Sequence, residues 1–507
     1  MKEKIGFFKT LKFDDRSTEH MALEVLNNPK YDDCKYVDKN EIEKAFDEYG
    51  YKLNPFNANT YSSLMDSPHI EGHFLKANLP EVESIVFDDI CNIEYLHRTM
   101  DLHPDITHLA LSTYAMAMDN TIEVVKEIRK EYPDKEIILG GIGVLFPYLK
   151  KYVDPDHMCY EQGKGNGVNW LRKFFNLKPY SKEEYRIPII VSNRGIFNIT
   201  TAYLVTQIGC PYGCDFCITP SFLKYVPLAN SSKKIINILE KMRNKTDEDI
   251  FLFLCDPNAL FPVKVWKEVF DYYIENNQGN KIFLFCLVSL NHLRLFNLEV
   301  IQQKSALKFL MINFGIESVL SNYEKNKGVT NDSINHINNL GIATFHNFIL
   351  GLLFHTKQSI NIEIERNLAF DSTWFSVNTL KPLPTTKTYI ELKKENRIFG
   401  EDLPPEFLYR EGFFPFQHKY LGGGFSALKY AFKAYYDCER KSINSYSRLV
   451  EIVDKLPIDI DSSFIKALKF IFRDLSRKNY NLIHARMPSK FVDKYQENFE
   501  IVFSEKI

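Results

Sequence analysis

A chain of 507 residues has room for about three domains at roughly 100–200 residues each. Its 45% hydrophobic and 25% charged content is the balance of a folded globular chain and excludes a collagen-like or low-complexity one. Lysine plus arginine (63) almost cancels aspartate plus glutamate (65), and the net charge of −2 gives no electrostatic case for a nucleic-acid partner. No uninterrupted apolar run reaches the ~18–20 residues of a membrane span. The most apolar stretch, 341–354, is broken by His346, Asn347 and Gly351. The opening MKEKIGFFKT lacks the apolar core and small-residue cleavage site of a secretory leader, so the cytoplasm is the expected compartment.

Residues 4–10 read as a first strand, whereas 11–80 show little usable periodicity. Residues 107–113 alternate apolar and polar as a strand does. Ile122, Val125 and Ile128 then recur at helical spacing, with Asp119 or Asn120 as N-cap and Pro133-Asp134 as the stop. Residues 136–139 form a short buried strand that ends at Gly140-Gly141-Ile142-Gly143. Strand, helix, strand is the βαβ unit of a parallel sheet. A further strand is expected at 158–160, before the segment Glu161–Gly165. The aperiodic stretch 176–199, with two prolines, reads as a linker.

A second alternation follows. Strands are expected at 202–208, 250–255, 281–288, 308–314, 343–350 and 374–380, with helices at 232–243, 263–276, 296–304, 332–340 and 358–369 between them. Six β/α repeats indicate a parallel barrel or most of one. Beyond about 390 the rhythm fades, and 425–439 and 462–478 read as helical.

Nine cysteines is an odd number, and with no secretory leader a disulfide framework is not expected. Cys34, Cys91, Cys159, Cys255, Cys286 and Cys438 are dispersed, and Cys255 and Cys286 read as core. Cys210, Cys214 and Cys217 fall together in GCPYGCDFC, just after the first strand of the second alternation. Three thiolates on one short loop can hold three irons of a cubane cluster and leave the fourth open. Gly209, Pro211 and Gly213 let such a loop wrap a bulky inorganic core. A structural zinc site wants four ligands, usually from paired Cys-x2-Cys elements, and no partner pair exists here.

This Cys-x3-Cys-x2-Cys loop, with the aromatic Phe216 before its third cysteine, resembles the signature of the radical SAM enzymes, and the likeness extends over 200–386. NFGIES (313–318) resembles the fourth-strand element, which implies that Glu317 and Ser318 contact the ribose and amino-acid part of S-adenosylmethionine (SAM). ILG (349–351) resembles the fifth-strand element, which implies that Gly351 lies near the adenine. LKPLPTT (380–386) resembles a sixth-strand segment in which Thr385 replaces the usual glycine, and Asp256 stands where a contact to the SAM amino group is expected. The implied chemistry is reductive. A [4Fe–4S] cluster gives one electron to SAM, and the resulting 5′-deoxyadenosyl radical takes a substrate hydrogen.

Residues 105–170 are similar to the cobalamin-binding module that many of these enzymes carry. Gly140 and Gly141, at a strand's carboxyl end, allow a large flat ring to approach closely. The corrinoid-ligating Asp-x-His-x-x-Gly pattern is not present: after Asp101-Leu102-His103, Ile106 stands in the glycine position, so His103 reads as a turn residue. The loop 113–118 is then expected beneath the ring, with no histidine ligand from the protein.

The expected fold is α/β, in four parts: a Rossmann-like cobalamin-type domain (1–175), a linker (176–199), a partial (β/α)6 radical SAM barrel (200–388) and a mainly helical C-terminal region (389–507). The resemblance implies a cobalamin-dependent methyltransferase acting on an unactivated carbon. It also implies a small-molecule or lipid-like substrate and an external electron donor such as flavodoxin or ferredoxin. A radical rearrangement or cyclisation enzyme, and an iron–sulfur electron carrier or scaffold, are the alternatives. No catalytic residue beyond the cofactor contacts is indicated.

Overall fold

The computed structural model describes residues 3–11, 18–32, 34, 36–49, 68–114, 117–159, 167–181, 183–192, 200–321, 323, 325, 328–399, 403, 407, 411–434, 437, 451–452 and 454–456. The expected helix at 462–478, Cys438 and the segment Glu161–Gly165 lie outside these residues.

The first sheet contains β1 (Lys4–Lys9), β2 (Glu83–Ile90), β3 (His108–Ser112), β4 (Glu136–Gly140) and β5 (His157–Met158). Their order is β2-β1-β3-β4-β5, and every pairing is parallel. Helices cover both faces. On one, Leu96, Val125 and Ile128 pack on Leu109, Leu111 and Leu139. On the other, Leu171 and Phe175 pack on Phe7, Ala110 and Ile138. Double coverage is why β1, β3 and β4 are almost continuously apolar. The strand order reverses between β1 and β3, and such sheets bind ligands in the crevice at that switch, beyond the carboxyl ends.

The second sheet is built from β6 (Ile190–Ser192), β7 (Thr201–Leu204), β10 (Ile250–Leu254), β11 (Ile282–Leu287), β12 (Leu307–Glu317), β13 (Ala343–Leu350) and β14 (Trp374–Thr379). The order is β14-β13-β12-β11-β10-β7-β6, parallel except for β6, which runs antiparallel to β7 from within the segment 176–199. The six parallel strands match the six expected. The first of them ends early: Gln207–Ile208 forms a separate β8, paired antiparallel with β9 (Val226–Pro227). Helices cover one face, where Ile235, Leu239, Trp266 and Ile334 meet Leu252, Leu284 and Phe309.

Helices near the N-terminus pack on residues of the C-terminal region. Val25 and Ile42, from the helices Thr18–Asn27 and Lys39–Tyr49, share a core with Phe407, Phe413 and Phe432. Within the C-terminal region a hairpin, β15 (Phe414–His418) with β16 (Gly422–Gly424), precedes helical residues 428–434. Phe414 and Phe416 of this hairpin pack on Phe348 and Leu350 of β13. Among the described residues no helix is long and apolar enough to cross a membrane.

Candidate active site at the junction of the two sheets

Beyond β7 the chain turns into the cysteine loop, and a buried carboxylate holds the turn. Asp256, fully buried, accepts hydrogen bonds from Thr206 N (2.8 Å) and Gln207 N (3.1 Å) and pairs with the Thr206 hydroxyl. Burial pushes its carboxyl up to about 7. Both oxygens carry hydrogen bonds, so Asp256 anchors the backbone turn beneath the loop. Gly209 takes φ +70°, and a Cβ there would lie 2.5 Å from the Leu223 carbonyl oxygen. Only glycine fits this entry to the loop.

Cys210, Cys214 and Cys217 are half-buried free thiols, and Cys217 N donates to Cys214 O at 3.1 Å. Burial raises Cys210 and pushes Cys214 up to about 11, while the nearby Lys325 ammonium opposes the rise. Thiolates here need added positive charge, which a bound metal centre provides. Among the described residues no three His, Cys, Asp or Glu side chains converge on one metal ion. A Cβ on Gly213 would meet nothing within 4 Å, so the loop has an open side. Three thiols on one short loop with space beside them can take a polynuclear cluster.

Glu317 ends β12 at φ +62° and forms an ion pair with Lys325, both mostly buried. Lys325 also lies 6.0 Å from the Phe216 ring centroid, and Phe216 meets Tyr323 edge-on at 5.6 Å. The structure thus brings Phe216, Glu317 and the cysteines together and adds Lys325. Ser318 points elsewhere. Its hydroxyl donates to Glu363 (2.6 Å), which also accepts from Val319 N (2.6 Å). Glu363 lies 3.3 Å from His355 Nε2, and His355 Nδ1 accepts from Gly351 N at 3.0 Å. Glu363 and His355 are fully buried. One brace therefore ties the ends of β12 and β13, and the Ser318 hydroxyl is part of it. Gly351 has φ +78°, and a Cβ there would overlap the Phe414 ring. Thr385, in place of glycine, nevertheless takes φ +75°, with its hydroxyl 3.0 Å from Ser221 Oγ.

At the other sheet, Thr113 interlocks with the β4 loop. Its N and Oγ1 donate to Gly140 O (2.8 and 2.6 Å), and its carbonyl accepts from Gly143 N (3.1 Å). A Cβ on Gly141 would lie 2.5 Å from Thr113 O, so Gly141 is required by the backbone itself. Gly140 is different: its Cβ would meet only Cys159, at 3.6 Å. Both glycines line a cavity of about 480 Å³. Gln207, Ile208, Gly209 and Thr219, which flank the cysteines, line the same cavity from the barrel side. Its wall is mainly apolar, with Glu71 and Tyr114 as a polar pair. Burial and Glu71 hold the Tyr114 hydroxyl protonated, well above the usual phenol range. No histidine lines the cavity among the described residues; His103 instead ends the helix Ile93–Leu102 and packs on Phe87.

Sequence reasoning did not single out Lys325, His355, Glu363, Tyr114 or Glu71. Glu363 carried a signal: a carboxylate between Ile360 and Ile364 sits on the buried stripe of its helix, where an unpaired charge is costly.

No family model matches the chain. It is 24% identical over 203 residues to hopanoid C-2 methylase of Rhodopseudomonas palustris (strain TIE-1), a match that spans 38% of this chain and 38% of that protein's length. Its fold is similar to the radical S-adenosylmethionine methyltransferase TsrM from Kitasatospora setae, solved with cobalamin and a [4Fe-4S] cluster bound. That TM-score is 0.55 at 13% identity, over 95% of this chain and 100% of that one. The cobalamin-dependent S-adenosylmethionine radical enzyme OxsB, solved with aqua-cobalamin, gives 0.51 at 12% identity, over 99% of this chain and 84% of that one. The chain therefore has the fold of these proteins: a Rossmann-like sheet joined to a six-stranded partial barrel.

Proposed function

We propose that the chain is a cobalamin-dependent radical SAM enzyme that methylates an unactivated carbon. The observation that carries this reading is the single cavity whose two walls are the Gly140-Gly141 turn and the root of the three-cysteine loop. When bound, the [4Fe–4S] cluster and SAM supply one-electron cleavage to an organic radical, and cobalamin supplies a methyl carrier.

The residues divide that work. Cys210, Cys214 and Cys217 would hold the cluster, with Asp256 fixing the strand-end turn that precedes them. Glu317 and Lys325 offer an anion and a cation side by side, which complements the ammonium and carboxylate of SAM's amino-acid end. Glu363 and His355 keep the ends of β12 and β13 in register, so that Glu317 and Gly351 face one ligand. Gly140 leaves room for a corrin edge, and the apolar wall keeps water from the reacting groups. A low-potential electron donor such as flavodoxin or ferredoxin is required, and the cytoplasm is the compartment that suits it.

The test is anaerobic turnover with methyl-labelled SAM on cluster- and cobalamin-loaded protein, following 5′-deoxyadenosine and labelled product together. Both should form. If 5′-deoxyadenosine forms without methyl transfer, the chemistry is a rearrangement or cyclisation. If neither forms, the chain is an iron–sulfur protein of another kind.

A further inference from the structure

The face of the second sheet turned away from its helices identifies a class of substrate; at its β6–β7 edge Ile70 and Ile190 pack on it. Along β12 the residues alternate, with Ile312, Phe314 and Ile316 buried towards the helices while Met311, Asn313 and Gly315 stay partly open on the other side. Low on that open face a line of rings crosses the sheet. Tyr203 stacks on Phe253 (5.2 Å), Phe253 meets Phe285 (5.3 Å), and Phe345 stacks on Trp374 (5.4 Å). Phe285 also reaches Phe345 at 6.1 Å, although β12 runs between their strands. In a flat sheet such residues stand about 10 Å apart. The sheet therefore curls with this face inside, and the rings, all buried, form the base, or floor, of a cup whose half-open rim is Asn313, Asn347, Ser376 and Asn378.

Above the floor the side chains are polar but uncharged. Asn347 donates to Asn313 Oδ1 and to Phe314 O (3.1 Å), which leaves the Asn347 carbonyl and the Asn313 amide without partners among the described residues. Ser376 and Asn378, half-open on β14, make no side-chain hydrogen bond among the described residues. Leu287, aligned with Asn313, is 40% exposed. At the carboxyl end of β12 the charges on this face are Glu317 and Lys325, which neutralise each other; at its other end Lys308, aligned with Phe283, is buried and donates to Gln302 O.

We propose that the cup seats an uncharged, ring-containing apolar substrate bearing one uncharged hydrogen-bonding group, with the ring on the aromatic floor and the polar group at Asn313 and Asn347. This rests on the methyltransferase reading for calling the cup a substrate seat. The chemistry selects against ions: a carboxylate here would lose its hydration and meet no free cation. The amide pair offers one donor and one acceptor, as a hydroxyl, ketone or amide requires.

The experiment is calorimetric titration of the protein loaded with cluster, SAM and cobalamin. Three probes share one ring system: 2-naphthol, 2-naphthoate and 2-naphthylmethylammonium. The naphthol should bind at least tenfold more tightly than either ion. Asn347→Asp and Ser376→Asp, on separate strands, should each weaken naphthol binding at least tenfold while iron and cobalamin contents stay at the wild-type level. Equal or tighter binding of either ion, or wild-type naphthol affinity in both variants, overturns the proposal. Iron content and SAM affinity of the same samples test the cofactor reading separately.

Discussion

The two strand-end loops that meet in the central cavity are held by different forces. The barrel end relies on buried polar groups: Asp256 beneath the cysteine loop, and Glu363 with His355 between Ser318 and Gly351. The other end relies on backbone interlock, with Thr113 bonded to Gly140 and Gly143 and no buried charge in the turn. Asp256 makes the first construction sensitive to pH, whereas the second is sensitive to added bulk at Gly141. The barrel-end loop is thus anchored by groups with several hydrogen bonds each, and the turn at Gly140 by shape.

The largest effect expected is on the cysteines. Replacing Cys210, Cys214 and Cys217 together with alanine should remove essentially all iron and the brown absorbance, while cobalamin binding at the other wall persists. Retained iron would place the cluster on other cysteines.

Next comes bulk at the glycines, which the structure separates. Gly141→Leu collides with the Thr113 carbonyl and occupies a positive φ, and the two together cost about 2–5 kcal/mol. Its fluorescence-monitored unfolding should shift accordingly. Gly140→Leu meets only Cys159 and extends into the cavity. It should lose cobalamin at unchanged iron content and near-wild-type stability. Normal cobalamin uptake by Gly140→Leu would mean that the corrin lies elsewhere.

Glu317→Gln removes the charge opposite Lys325 and should weaken SAM binding roughly 10- to 100-fold, the range of one charge-assisted hydrogen bond, with iron content intact. Wild-type SAM affinity by equilibrium dialysis would remove Glu317 from the ligand's surroundings.

The smallest effect is a pH dependence. Burial raises the Asp256 carboxyl from 3.8 to about 7, so its contribution to stability is fully present below pH ~4 and is lost as pH rises towards 7. Asp256→Asn keeps the acceptor for Thr206 N and Gln207 N and does not titrate. Denaturant unfolding should therefore show the variant gaining on the wild type between pH 4 and 7. Asp256→Ala, which leaves those N–H groups unpaired, should cost about 1–3 kcal/mol at any pH. Parallel pH curves for wild type and Asp256→Asn would contradict this account of the loop's anchor.

Much of this was legible in the residues. The six parallel barrel strands announce themselves because each is apolar on its helix-covered face and bounded by a helix of clear period. The cysteine loop stands out because Cys210, Cys214 and Cys217 fall within eight residues, just beyond a barrel strand. β2 was not, since ESIVFDDI is an edge strand with half-open positions and acids at its end, so neither alternation nor an apolar run stands out. The helices Thr18–Asn27 and Lys39–Tyr49 were hidden for a related reason: their apolar partners are Phe407, Phe413 and Phe432, hundreds of residues away. For Asp256 and Ser318 the sequence shows that a polar group is present and not which backbone amide or carboxylate it satisfies: Asp256 accepts from Thr206 N and Gln207 N, and Ser318 donates to Glu363. The further role of Glu363 depends on a contact 45 residues back along the chain, to Ser318.

The central claim is that both cofactors share one cavity. It is tested most directly by electron paramagnetic resonance of protein loaded with cob(II)alamin and a reduced cluster. The account predicts faster spin relaxation of cob(II)alamin when the cluster is reduced than when it is oxidised, and no such change in the protein lacking Cys210, Cys214 and Cys217. Identical relaxation in both cluster states, with both cofactors bound at full occupancy, would contradict it.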